Sequence, residues 1–158
     1  MRAFFSVVFL VALGFAGCQT ASMETQFDAS AHEFALGAGD ASVFGQAFMR
    51  RNDGVVVYAA GSTVLLMPDT GYTREIVEKS QIAFGGFSAE AIDKRYEKYT
   101  KETVADGEGR FTFASVPAGN YYLVTYVTWY AGGIQQGGRI YRQITVEDGA
   151  EKSIIMTS

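Results

Sequence analysis

Cys18 is the only cysteine and His32 the only histidine in a chain of 158 residues, and this scarcity limits the chemistry the chain can support. A Ser-His-Asp or Cys-His nucleophile system would have to draw on His32, and the cysteine version would also need Cys18, which closes an apolar run. A zinc site built from His and Cys cannot be assembled from one of each. Two carboxylate pairs remain, Asp106 with Glu108 and Glu147 with Asp148. Both lie among turn residues, where acidic side chains serve turn geometry and solubility, and the roughly six to eight oxygens of a calcium site are not visible around them. Gly132-Gly133 and Gly137-Gly138 flank Ile134, Gln135 and Gln136 without a lysine or a helix start, so they read as a mobile hairpin tip and not as a phosphate loop. Beside that tip, Trp129 and Tyr130 on one arm and Arg139 and Tyr141 on the other are the candidate interaction residues, because aromatic surface next to a guanidinium on a flexible loop favours binding. His32 is expected to be exposed and unpaired. The expectation is a chain with no enzymatic activity, no cofactor and no resident metal.

The elements that must position these residues are mostly strands. Ser42 to Met49, Val55 to Tyr58 and Thr63 to Met67 are short apolar or β-branched runs separated by turn and bulge residues. Arg110 to Phe113 follows the turn Asp106-Gly107-Glu108-Gly109. Tyr121 to Tyr130 alternates Tyr121, Leu123, Thr125, Val127 and Trp129 with Tyr122, Val124, Tyr126, Thr128 and Tyr130. Both of its faces can be covered, which predicts a central strand. Arg139 to Val146 returns, and Ser153 to Thr157 closes the sheet. Arg74 to Lys101 breaks the pattern with its charge. Ser88 as N-cap, Glu90 in the first turn, and Ile92, Tyr96 and Tyr99 at helical spacing predict a short amphipathic helix inserted between strands.

Hydrophobic residues make up 48% of the chain and aromatics 14%, which is enough for one domain with a real core. The formal net charge of −4, with 13 Lys and Arg, gives no basic stripe, so nucleic acid is not an expected partner. Met1 and Arg2 precede a run from Ala3 to Gly17 that is apolar except for Ser6, the anatomy of a signal peptide. The run is shorter than the roughly 20 residues that cross a bilayer. Residues 18–40, rich in Ala, Ser, Thr and Gly, read as a tether of roughly 25 Å reach if flexible, with Phe27 and Phe34 as possible docking points. The expected organisation is therefore a signal peptide over 1–17, a tether over 18–40 and one domain over 41–158.

Two resemblances sharpen these expectations. Phe15-Ala16-Gly17-Cys18 resembles the bacterial lipobox, with Phe15 where an aliphatic residue is usual. This implies that Cys18 becomes the first mature residue, takes a diacylglycerol as a thioether and is acylated by palmitate or a similar chain, which anchors the protein to a membrane. Gln19, which is not Asp, implies sorting to the outer membrane of the cell envelope. Gly45, the run Gly61 to Pro68, Thr103 to Phe113, and Val116-Pro117-Ala118-Gly119-Asn120-Tyr121 resemble the carboxypeptidase regulatory-like domain. That resemblance implies an all-β, transthyretin-like (prealbumin-like) sandwich of about seven strands, here carrying a short helical insertion. The motifs are structural, so the implied role is a non-catalytic module contacting an envelope protein or a surface polymer. The alternative is a periplasmic small-ligand or ion-binding carrier.

Overall fold

The computed structural model describes residues 22–82 and 92–158. Cys18 lies outside these residues, as do Ser88 and Glu90, the expected start of the inserted helix. The described chain is an all-β sandwich of two four-stranded sheets. Strands β1 (Ala41–Arg50), β2 (Val56–Tyr58), β5 (Arg110–Val116) and β8 (Glu151–Met156) form one sheet; β3 (Thr63–Pro68), β4 (Lys101–Val104), β6 (Gly119–Ala131) and β7 (Ile134–Val146) form the other, in the order β4-β3-β6-β7. All pairings are antiparallel except β1 with β8. The core lies between the sheets, where Tyr121, Leu123 and Val127 of β6 meet Val43 and Ala47 of β1, Phe111 and Phe113 of β5, and Met156 of β8.

Period-two alternation explains why these residues share faces. Phe111 and Phe113 both point inward, with their rings edge to face at 6.2 Å, while Thr112 between them is exposed. Strand β6 is interior to its sheet, and its second face is also covered: Val124 packs with Met67 and with Val77 of the helix α1 (Gly71–Ile82). The Val116-Pro117-x-Gly-x-Tyr step has a physical reason. Gly119 turns the chain at φ 157° with the Phe34 ring in the space a Cβ would need, and the buried Tyr121 hydroxyl donates back to Pro117 O at 2.9 Å.

Three expectations about elements change. Helix α1 was not legible, because its cap departs from the usual Ser/Thr-x-x-Glu pattern: Thr73 N–H donates to Thr70 Oγ1 (3.2 Å) while Thr70 N–H donates to Thr73 Oγ1 (2.9 Å), a reciprocal box with threonine in the glutamate's place. The Tyr96 to Tyr99 stretch is a single 3-10 segment, Lys94–Tyr99, with Asp93 as its cap. Arg139 to Val146 begins five residues earlier than expected, at Ile134, because the hairpin loop is only Gly132-Gly133. Both of these glycines have positive φ (59° and 78°), as a two-residue type I′ turn demands. Gly137 and Gly138 are thus strand residues and not a mobile tip.

Candidate functional site

The short hairpin turn separates the four residues expected at one tip. Pairing runs Trp129 with Gln136, Tyr130 with Gln135, Tyr126 with Arg139 and Val124 with Tyr141. Opposed residues share a face and successive ones alternate. Tyr130, Arg139 and Tyr141 therefore lie on the outer face of the sheet, while Trp129 is on the inner face, partly buried against the core. Tyr130 is 74% exposed.

Trp129 forms one wall of an open recess of about 350 Å³, whose polar lining comes from Arg50, Arg51, Asn52, Asp53 and Gln136 and whose remaining wall is Ala131 and Gly137. Local bonding shapes the rim. Asp53 accepts from Val55 N–H at 3.2 Å and pairs with the Arg51 guanidinium at 2.6 Å, while Arg50 donates to Gly54 O at 3.1 Å. Gly54 takes the positive φ of 88° that closes this turn. Gly137 sits beneath the indole: at its φ of 90° a Cβ would lie 2.1 Å from Val127 O and 2.9 Å from the Trp129 ring. The recess thus combines an aromatic surface with guanidinium and amide donors and with carboxylate and amide acceptors, a set suited to holding a polar ligand that also offers C–H surface.

The carboxylates singled out from sequence are engaged in turns. Asp106 Oδ1 accepts from Glu108 N–H (2.8 Å) and Arg110 N–H (2.9 Å), and the Glu108 carboxylate pairs with Arg110. Glu147 and Asp148 are exposed before Gly149. Among the described residues no group of three or more His, Cys, Asp or Glu is placed to hold a metal ion.

His32 overturns its expectation. It is fully buried, with Nδ1 2.7 Å from Asp28 O and Nε2 2.9 Å from Thr70 Oγ1, inside an aromatic cluster with Phe27, Tyr72 and Tyr99. Residues 22–40 are likewise a packed strap and not a free tether. Their 3-10 segment Ser30–Leu36 buries Ala35, and Phe34 meets Tyr121 edge to face at 5.5 Å. The grip on the strap comes from α1. Glu75 accepts the N–H groups of Glu24 and Thr25, both at 2.7 Å, and pairs with Lys79 at 2.6 Å; Lys79 in turn reaches Ser22 O. Burial opposes the charge on Glu75, but the donors from Lys79, Thr25 and Glu24 outweigh it and hold the carboxyl down to about 2. Sequence reasoning missed Glu75 and Lys79 because their partners lie some fifty positions upstream.

No family model matches the chain, and no curated protein matches it. Solved structures do. A candidate carbohydrate-binding protein from Pseudomonas aeruginosa superposes with a TM-score of 0.68 at 24% identity, over 77% of this chain and 90% of that one. Two structures of a pilus backbone protein from Streptococcus pneumoniae align at 10% identity with TM-scores of 0.31 and 0.27, over 74% and 73% of this chain and 41% and 30% of theirs. The Pseudomonas likeness, long on both sides, shows that the chain folds as a β-sandwich.

Proposed function

We propose that the protein is a lipid-anchored, non-catalytic module of the cell envelope that binds a surface polysaccharide in the Trp129 recess. The observation that carries the reading is the recess itself: an indole partly open beside Arg50, Arg51, Asn52, Asp53 and Gln136. Sugar rings offer C–H faces that pack on an indole and hydroxyls that pair with planar amide, guanidinium and carboxylate groups. The ligand class ascribed to the Pseudomonas protein of similar fold is the same. Anchoring rests on the lipobox-like Phe15-Ala16-Gly17-Cys18, on Cys18 being the only thiol, and on Gln19 for the outer membrane. The likeness of Val116-Pro117-x-Gly-x-Tyr to the carboxypeptidase regulatory-like pattern supports a domain of that structural, non-enzymatic kind.

Trp129 is the only tryptophan, so its emission reports the site directly. Titrating the purified full-length protein with envelope polysaccharides is expected to give a saturable shift in emission, with the sugar recovered chemically unchanged. A Gln136→Ala variant is expected to bind about ten-fold more weakly. No saturable binding by any envelope polysaccharide, binding that leaves the Trp129 emission unchanged, or turnover of the sugar would overturn the reading.

A further inference from the structure

A second cavity, unrelated to the Trp129 recess, lies on the outer face of the β3-β6-β7 sheet. Its floor is apolar, made by Leu65, Met67 and Val124, with Ile76 and Val77 of α1 along one side and a volume of about 130 Å³. Its polar lining is Ser80, Tyr96, Tyr126, Arg139 and Tyr141, the last three on the adjacent strands β6 and β7. The Arg139 guanidinium stands 5.0 Å from the centre of the Tyr126 ring and bonds the Tyr126 hydroxyl; among the described residues no carboxylate pairs with it. The Tyr141 hydroxyl, on the same strand two residues from Arg139, is buried and has no hydrogen-bond partner of ordinary geometry. Buried hydroxyls are normally paired, and a carboxylate is the strongest acceptor for a hydroxyl and a guanidinium together; Arg139 is exposed and carries its charge to the mouth of the cavity. The Tyr141 hydroxyl is therefore the group without a partner, and an anionic oxygen in the cavity would accept from it and from Arg139 at once.

We infer that this cavity binds a short-chain aliphatic carboxylate, its two oxygens accepting from Arg139 and the Tyr141 hydroxyl and its hydrocarbon lying on Leu65, Met67 and Val124. At about 130 Å³ the cavity has room for a short hydrocarbon chain of at least about four carbons. The charge requires the head to be ionised, and the apolar floor requires a tail longer than a methyl group.

Calorimetric titration of the purified full-length protein with acetate, butyrate, hexanoate and the neutral hexanol tests this, with saturation-transfer NMR to show which ligand protons touch the protein. Butyrate and hexanoate are expected to bind saturably, and acetate and hexanol at least ten-fold more weakly. Tyr141→Phe is expected to weaken hexanoate about ten-fold and Arg139→Gln further, with unchanged melting temperatures showing that both variants fold. Trp129→Ala is expected to leave hexanoate binding intact, which separates this site from the saccharide reading. Absence of hexanoate binding overturns the inference, as does hexanol binding as tightly as hexanoate, or equal affinity in the Arg139→Gln variant.

Discussion

Two residues carry consequences out of proportion to their exposure. Tyr121 is buried, which pushes its phenol up to about 12, and its hydroxyl satisfies Pro117 O at the corner leading into β6. Tyr121→Phe removes one hydrogen bond and leaves a carbonyl without its donor, so we expect a loss of about 1 to 2 kcal/mol in chemical denaturation, with the fold retained. His32 joins the strap to Thr70 and fills the space between Phe27 and Tyr99. His32→Ala deletes two hydrogen bonds and opens a cavity, and a loss of about 2 to 4 kcal/mol is expected, accompanied by faster proteolysis before Ala41. A variant cut no faster than the native chain would show that the strap holds without its histidine.

At the level of elements, the hairpin decides the shape of the recess and the sandwich depends on a few inward aromatics. Gly137→Ala places a methyl group against Val127 O in a left-handed backbone, so the β6-β7 register near the turn must shift. The expected result is a loss of about 1 to 3 kcal/mol together with a changed Trp129 emission spectrum, the second reading being specific to the recess. Phe111→Ala and Phe113→Ala each empty part of the core and should cost about 3 to 5 kcal/mol; a melting temperature unchanged in both would contradict the packing described for β5.

For the whole molecule, the strap changes how an anchored domain would stand. With residues 24 and 25 held by Glu75, the spacer from Cys18 to Glu24 reaches at most about 20 Å when fully extended, and the strap beyond it is part of the domain. A lipid at Cys18 would then keep the domain against the head groups. Cys18→Ser is expected to abolish acyl labelling and to move the protein out of the membrane fraction; labelling that persisted would remove the anchor. The strap also responds to acid. The folded pKa of Glu75, about 2, lies below its ordinary 4.5, so its contribution is complete above about 4.5 and is lost as pH falls towards 2. Protection of the Glu24 and Thr25 amides, taken relative to their intrinsic exchange rates at each pH, should fall across that window, and in Glu75→Gln it should be low at every pH.

The strands were legible because their signal is local. Alternation at period two in Tyr121 to Tyr130, and the Asp106 to Gly109 turn before Phe111, depend on neighbours in the chain, and the all-β sandwich follows from them. Helix α1 escaped because Thr73 performs a capping role usually read from glutamate. Which residues share a surface was decided by register: a two-residue turn at Gly132-Gly133 pairs Trp129 with Gln136 and sends Arg139 and Tyr141 to the opposite face. Residues 22–40 have the composition of a tether, and only the tertiary structure shows them bound. The groups that hold them, Glu75, Lys79 and Thr70, lie 38 to 57 positions away in the chain, and hydrogen bonds at such separations leave no periodic trace in a sequence.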